Sequence, residues 1–221
     1  MYSGGDAYFN KTLKHFNQSS SYFATQNKHW TFVGLDVAFR DHSIDDEQVD
    51  WLKKVLAQAG DRKVILFSHH QLYSHFESQG ERLWGHAGLA EILNSNRIFA
   101  WYWGHEHRCS IFEGKDPRFG IFARCIGHGG MPESRDATRD LPSAEESKYQ
   151  DADWRRSPSQ AKLGNVLPGC IVLEGSNPDI LGEEDKFTPH GYAIITVEGP
   201  TLKEQVLTST GKVIYSNYLV P

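Results

Sequence analysis

Cysteine is scarce in these 221 residues, with three in all, at Cys109, Cys125 and Cys170. An odd and widely spaced set argues against a disulfide framework and suits free thiols in a reducing compartment, which favours a cytoplasmic location. Long apolar runs are missing too. The longest, Ile98 to Trp103, is far short of the ~20 residues a membrane-spanning helix needs. The first ten residues also lack the basic and apolar regions of a signal peptide, so the chain reads as soluble, with no membrane partner. Nor do Lys and Arg cluster along the sequence. With a formal net charge of -5, there is no electrostatic footprint for a nucleic-acid backbone or an anionic bilayer.

Several catalytic signatures are absent as well. There is no G-x-S-x-G elbow and no G-x-x-x-x-G-K phosphate loop, and His105-Glu106-His107-Arg108-Cys109 is not H-E-x-x-H because its fifth residue is cysteine. Cys125 and His128 form C-x-x-H without a second pair at suitable spacing, so a zinc knuckle is not expected. His128 and His190 read as structural. Trp51, Trp84 and Trp154 read as core or loop anchors.

What is present is histidine, eleven of them, set among short strand-like runs. Trp30 to Leu35, Lys63 to Phe67, Ile98 to Trp103 and Phe119 to Ile126 are rich in β-branched and aromatic residues and read as buried strands. A helix falls between the first two, with Asp45 or Asp46 as N-cap. Val49, Leu52, Leu56 and Ala59 form its apolar face, and Gly60 ends it. A second, about Ala87 to Leu93, precedes the third strand. This alternation predicts an α/β fold with a largely parallel sheet. Beyond Ser110, two runs flanking Gly114 to Arg118 predict a hairpin. Tyr192 to Val197 with Lys212 to Val220 predict another antiparallel pair, and so a second sheet. Residues 131–168 are polar and read as one long loop, a functional lid or a disordered stretch. No linker divides the chain, so 1–221 reads as one domain.

Three histidines stand at strand ends: His69 just past the run Val64 to Phe67, and His105 and His107 just past Ile98 to Trp103. In parallel α/β sheets ligands bind outside the carboxyl ends of the strands. If the backbone stays extended, His105 and His107 project the same way about 6.5 Å apart. Each could then reach a different ion of a pair spaced about 3.5 to 4 Å. Gly104 before them permits a tight turn.

The segments W-Y-W-G-H-E-H-R (Trp101 to Arg108) and F-S-H-H-Q-L-Y-S (Phe67 to Ser74) resemble the fifth and fourth motifs of calcineurin-like metallophosphoesterases. M-Y-S-G-G-D-A-Y-F (Met1 to Phe9) resembles the stretch that follows the family's third motif, G-N-H-D or G-N-H-E. The resemblance covers most of the chain to about Gly130. It implies an αββα four-layer sandwich of which this chain holds the C-terminal portion, and hydrolysis of a phosphomonoester or phosphodiester by two divalent ions such as manganese, iron or zinc. By family pattern His69 and His105 bind one ion and His107 the other. The family has proline two residues after the first of these ligands, where this chain has Gln71. That leaves the adjacent His70 as an alternative ligand, a substrate-facing residue or a packing residue.

No D-x-H or G-N-H occurs in the sequence, and Asp41-His42 does not substitute for them. The resemblance therefore implies that the first three motifs, with their carboxylates, lie upstream. The expectations that follow are at most one weakly held ion, little activity in the isolated chain, and an exposed apolar sheet edge around Trp30 to Asp36. That edge would favour self-association or pairing with an N-terminal half-domain. The alternative is a metal-binding remnant or interaction module on the same scaffold.

Overall fold

The computed structural model describes residues 5–37, 42–77, 83, 85–144, 149, 151–162 and 165–220. Asp41, Trp84 and the first four residues of the Met1–Phe9 segment lie outside them. A short helical stretch, Tyr8–Thr12 continuing into α1 (Leu13–His15), leads to β1 (Phe23–Gln26) and β2 (Trp30–Gly34). Then α2 (Asp46–Ala59), β3 (Lys63–Phe67), α3 (Ala87–Asn94) and β4 (Ile98–Trp103) alternate.

Helix α2 forms for the reasons its sequence suggests. The Asp45 carboxylate accepts a hydrogen bond from the Gln48 backbone N–H at 2.8 Å, a cap worth about 1 kcal/mol. Val49, Leu52, Leu56 and Ala59 are buried against the sheet, the two leucines contributing about 1.5 to 3 kcal/mol apiece. Buried Gln48 brackets the backbone of Asp36, accepting from its N–H and donating to its carbonyl. This fixes the exit of β2 against the start of α2.

The large sheet continues with β5 (Cys109–Phe112), β6 (Phe122–Ile126), β7 (Asp153–Ser157) and β10 (Cys170–Glu174), in the order β1-β2-β3-β4-β6-β5-β10-β7. Strands β2, β3, β4 and β6 are mutually parallel. Their carboxyl ends, and the loops that follow Gly34, Phe67, Trp103 and Ile126, therefore crowd one end of the sheet. Strands β8 (Gln160–Lys162) and β9 (Asn165–Leu167) form a small hairpin. Strands β11 (Gly191–Glu198), β12 (Thr201–Thr208) and β13 (Val213–Leu219) form a three-stranded antiparallel sheet.

Helices α2 and α3 pack on one face of the large sheet through Leu52, Leu66, Leu93 and Trp101. The three-stranded sheet covers the other face, where Trp30, Ile65, Phe99 and Tyr102 meet Leu202 and Leu219. The layers run helix, sheet, sheet, an α/β architecture.

Three expectations change. Tyr192–Val197 and Lys212–Val220 share a sheet but do not pair, because β12 lies between them. Lys203, Glu204 and Gln205 break the apolar pattern of β12, and its alternation is carried by Leu202, Glu204 and Val206, buried on one face. Residues 131–168 are not one loop: β7 lies on the edge of the large sheet with Trp154 fully buried, so polar composition hid a strand with a single strong anchor. Finally, β2 is no edge. Strand β1 pairs antiparallel along it, Trp30 and Val33 are fully buried, and the Trp30 indole donates to the Gly199 carbonyl of the second sheet. Among the described residues of the two larger sheets, exposed apolar side chains stand on three edge strands: Phe23 on β1, Tyr192 and Ile194 on β11, and Tyr218 on β13.

Candidate metal centre

Two buried apolar strands deliver histidines to one point. The β3 run ends at Phe67 and leads into Ser68, His69 and His70; the β4 run ends at Trp103 and leads into Gly104 and His105. The backbone N–H groups of Gly104 and His105 both donate to the His69 carbonyl, at 3.1 and 2.8 Å, so the two loops are clamped together. Ser68 Oγ accepts from the Trp101 indole and donates to the His70 carbonyl, which sets the course of the chain between the two histidines.

A third strand end closes the arrangement. Gly127, just past β6, lies so close to Gly104 that a Cβ built on it would stand 1.8 Å from the Gly104 carbonyl oxygen. This close approach of two backbones demands glycine at Gly127, whereas a Cβ on Gly104 would meet only an ordinary contact at 3.6 Å.

The imidazoles of His69, His70 and His105 converge, with one ligand nitrogen from each lying within 4.8 Å of the others. Among the described residues this is the single group of three or more His, Cys, Asp or Glu side chains so arranged. His69 Nε2 and His105 Nδ1 are 3.1 Å apart. His70 is buried, and neither of its ring nitrogens has a well-formed hydrogen bond. His42, in the left-handed region at φ 49°, stacks its ring on His70 with centroids 4.2 Å apart. The Glu77 carboxylate, which accepts from the Gln71 amide, lies 3.8 Å from His105 Nε2.

Of the sequence-predicted residues, the structure brings His69 and His105 together and leaves His107 out of the group. The extended geometry expected for His105 and His107 is replaced by a turn: the His107 N–H donates to the Gly104 carbonyl and His107 takes φ 50°. It remains near enough for its charge to bear on His69 and His105. His70 takes the third position. The doublet His69-His70 carried that signal. His42 had none, because it is brought to the site by the packing of the β2–α2 connection.

Electrostatics keep the group neutral. Burial, then His105, His107 and His42, lower the pKa of His69; burial, then His105, His42 and His69, push His70 down to about 3. Burial lowers His105, partly opposed by Glu77. At neutral pH all three imidazoles offer a lone pair. Next to them, burial pushes the Glu106 carboxyl up to about 7, although it accepts hydrogen bonds from Ser74 and the Trp103 indole. Its role is to tie the turn to β4 rather than to face the site.

The donors suit one transition-metal ion. Imidazole nitrogens bind at about 2.0 to 2.1 Å from such an ion, so ligands on adjacent positions stand about 3 Å apart and opposed ones about 4 Å, and the observed spacing needs only a small closure. For a pair of ions the set is short of anionic ligands among the described residues, where Glu77 is the one carboxylate placed near the imidazoles by an observed contact.

Residues 2–109 match the family model for the calcineurin-like phosphoesterases, a stretch that takes in all the histidines of the cluster. No curated protein matches the chain.

Proposed function

With residues 2–109 belonging to the calcineurin-like phosphoesterase family, we propose that this chain supplies the histidine-rich side of a site that hydrolyses phosphate esters. His69, His70 and His105 would hold one divalent ion, and His107, which the family pattern assigns to a second, lies near enough for its charge to bear on His69 and His105. The observation that carries this reading is the convergence of the three imidazoles, one of them buried with no more than a weak contact to the Val37 backbone. When bound, a divalent cation supplies Lewis acidity toward phosphoryl oxygens. The chain's residues do the rest. The clamp from Gly104 and His105 to the His69 carbonyl holds the imidazoles in place, and the absence of competing protons keeps them available. Glu77 beside His105 orients that ring.

The same reading holds that the isolated chain hydrolyses esters poorly. Two divalent ions 4 Å apart repel by about 16 kcal/mol at an effective dielectric of 20, and neutral histidines do not offset that. The anionic ligands of the second ion come from another polypeptide segment. The free edge of β11 suits its entry: it has eight residues with one charge, Glu198, and no proline. Beside it an apolar groove of about 320 Å³, lined by Phe67, Tyr102, Ile126 and Ile195, opens between the two sheets. An added strand pairing with β11 would fill that groove and end beside Ser68 and Gly104. The three cysteines, all free and buried, support a reducing, cytoplasmic compartment.

Calorimetric titration with zinc or manganese, paired with hydrolysis of an aryl phosphodiester, tests the proposal. The wild-type chain should bind one equivalent with low turnover, and His69→Ala and His105→Ala should each lose the binding. Unchanged binding in both variants would remove the site. Robust turnover by the chain alone would show that no further segment is needed.

A further inference from the structure

The opposite end of the large sheet, where β3 and β4 begin, holds a second polar pocket of about 330 Å³. Arg62, Lys63, Asn96, Arg97, Phe99 and Lys115 line it, and Asp61, exposed, is the acid among its described lining residues. The four cations come from three separate segments, the ends of two strands and the β5–β6 connection, so no run of basic residues announces them in the sequence.

The four are not equivalent. Arg62 donates to the carbonyls of Asn27 and Ala59, at 2.8 and 3.0 Å, and Arg97 donates to those of Leu56 and Gly60. Both guanidinium groups satisfy the carboxyl end of α2, where carbonyls lack intrahelical partners. The two lysines have no such task. Lys63 and Lys115 both lie over the ring of Phe99, at 5.1 and 5.7 Å from its centroid, and Lys115 also lies over Phe122 at 5.3 Å. Neither has a carboxylate within ion-pair distance among the described residues. Ring contacts of this kind contribute about 0.5 to 1 kcal/mol at exposed sites and neutralise no charge. Burial, and then the charge of Lys115, lower the pKa of Lys63. Two like charges are thus held side by side, Lys63 at the start of β3 and Lys115 in the β5–β6 connection, above an aromatic floor and facing open polar space.

We propose that this pocket binds a phosphate group, free or carried by a small monoester, through the ammonium groups of Lys63 and Lys115. A compact dianion relieves the repulsion between two ammonium groups more fully than a monovalent anion. Lysine is a point-charge phosphate binder that needs no bidentate geometry. The pocket is far larger than one phosphate, which leaves room for an ester group against Phe99 and Asn96. It lies across the sheet from the histidine cluster, so occupancy here is separate from turnover there.

The test is thermal denaturation and calorimetric titration of the full chain with inorganic phosphate and with ribose 5-phosphate, each against chloride at matched ionic strength. Phosphate should raise the melting temperature beyond chloride, and Lys63→Gln and Lys115→Gln should each weaken binding by about tenfold. His105→Ala should retain it, which separates this site from the metal centre. Tighter binding of the sugar phosphate than of inorganic phosphate would assign an esterified ligand, and the reverse a free one. Lys115 is exposed, so its glutamine variant keeps the fold even if Lys63→Gln does not. A phosphate effect no greater than that of chloride, or one retained in Lys115→Gln, would overturn the proposal.

Discussion

Two polar clusters are built into this molecule, and they differ in how completely their hydrogen bonds are met. Between the sheets, Arg124 meets Glu204 through both Nε and Nη2 at 2.8 to 3.1 Å, while its Nη1 donates to the carbonyls of Phe112 and Ala123. Tyr102 and Tyr215 donate their hydroxyls to the same carboxylate, at 3.1 and 3.2 Å. At the strand ends, His42, His69, His70 and His105 crowd together with nitrogens left over. The first cluster is a joint: it fixes how β12 sits on β4 and β6. The second costs desolvation and returns at His70 no more than a weak contact with the Val37 backbone, which is what a site waiting for a ligand looks like. His128 has two unsatisfied buried nitrogens as well, but among the described residues no group of ligand atoms converges with it. Convergence, not the missing bond alone, marks the metal centre.

The largest effect should come from the saturated cluster. Removing one partner of a buried ion pair leaves the other charged and uncompensated, at a cost of about 3 to 5 kcal/mol. Glu204→Ala should lower stability by that amount in denaturant titration, with metal affinity of the folded fraction unchanged. A loss below about 1 kcal/mol would mean that water replaces the pair and that the contrast between the clusters is false.

A smaller effect, and a pH-dependent one, belongs to His128. Burial and then the neighbouring His190 push its pKa down to about 4, from 6.5 in the unfolded chain. The folded state therefore binds fewer protons between these values, so its contribution is fully present above pH 6.5 and is lost as pH falls toward 4. The size is up to about 3 kcal/mol, from 1.36 kcal/mol per unit. His128→Gln should flatten the stability curve over that window. An unchanged slope would show that His128 does not titrate with folding.

These contrasts also explain what the sequence could tell. The runs Lys63–Phe67 and Ile98–Trp103 and the capped helix Asp46–Ala59 were legible to the residue or nearly so, because period, cap and burial agree locally. His69 and His105 were legible as strand-end residues. His42 was not, since its place depends on a long-range fold of the β2–α2 connection. The absence of His107 from the group follows from a turn with a left-handed residue, and histidine gives no warning of φ 50°. Strands β7 and β12 were missed because each hides its buried residues among charges: Trp154 beside Arg155 and Arg156, and Leu202 beside Lys203 and Glu204. The Lys63–Lys115 pair was invisible for the same reason as His42, being assembled from separate segments.

The smallest effect on stability should come from the histidine that looks most costly. His70 is buried with unsatisfied nitrogens, so replacing it with leucine, of similar size, removes a desolvated polar group rather than a working contact. Without metal, His70→Leu should be neutral or stabilising by up to about 1 kcal/mol. With metal the order reverses. An ion at 100 times its Kd stabilises the wild-type chain by about 2.7 kcal/mol, and a tenfold loss of affinity at the same concentration leaves about 1.4 kcal/mol. Melting curves in chelator and in zinc therefore separate the two roles of one side chain. If His70→Leu destabilises the metal-free chain as strongly as Glu204→Ala, the residue is a structural part of the core. If instead the zinc increment is undiminished, His69 and His105 hold the ion without it, as the motif pattern alone implies.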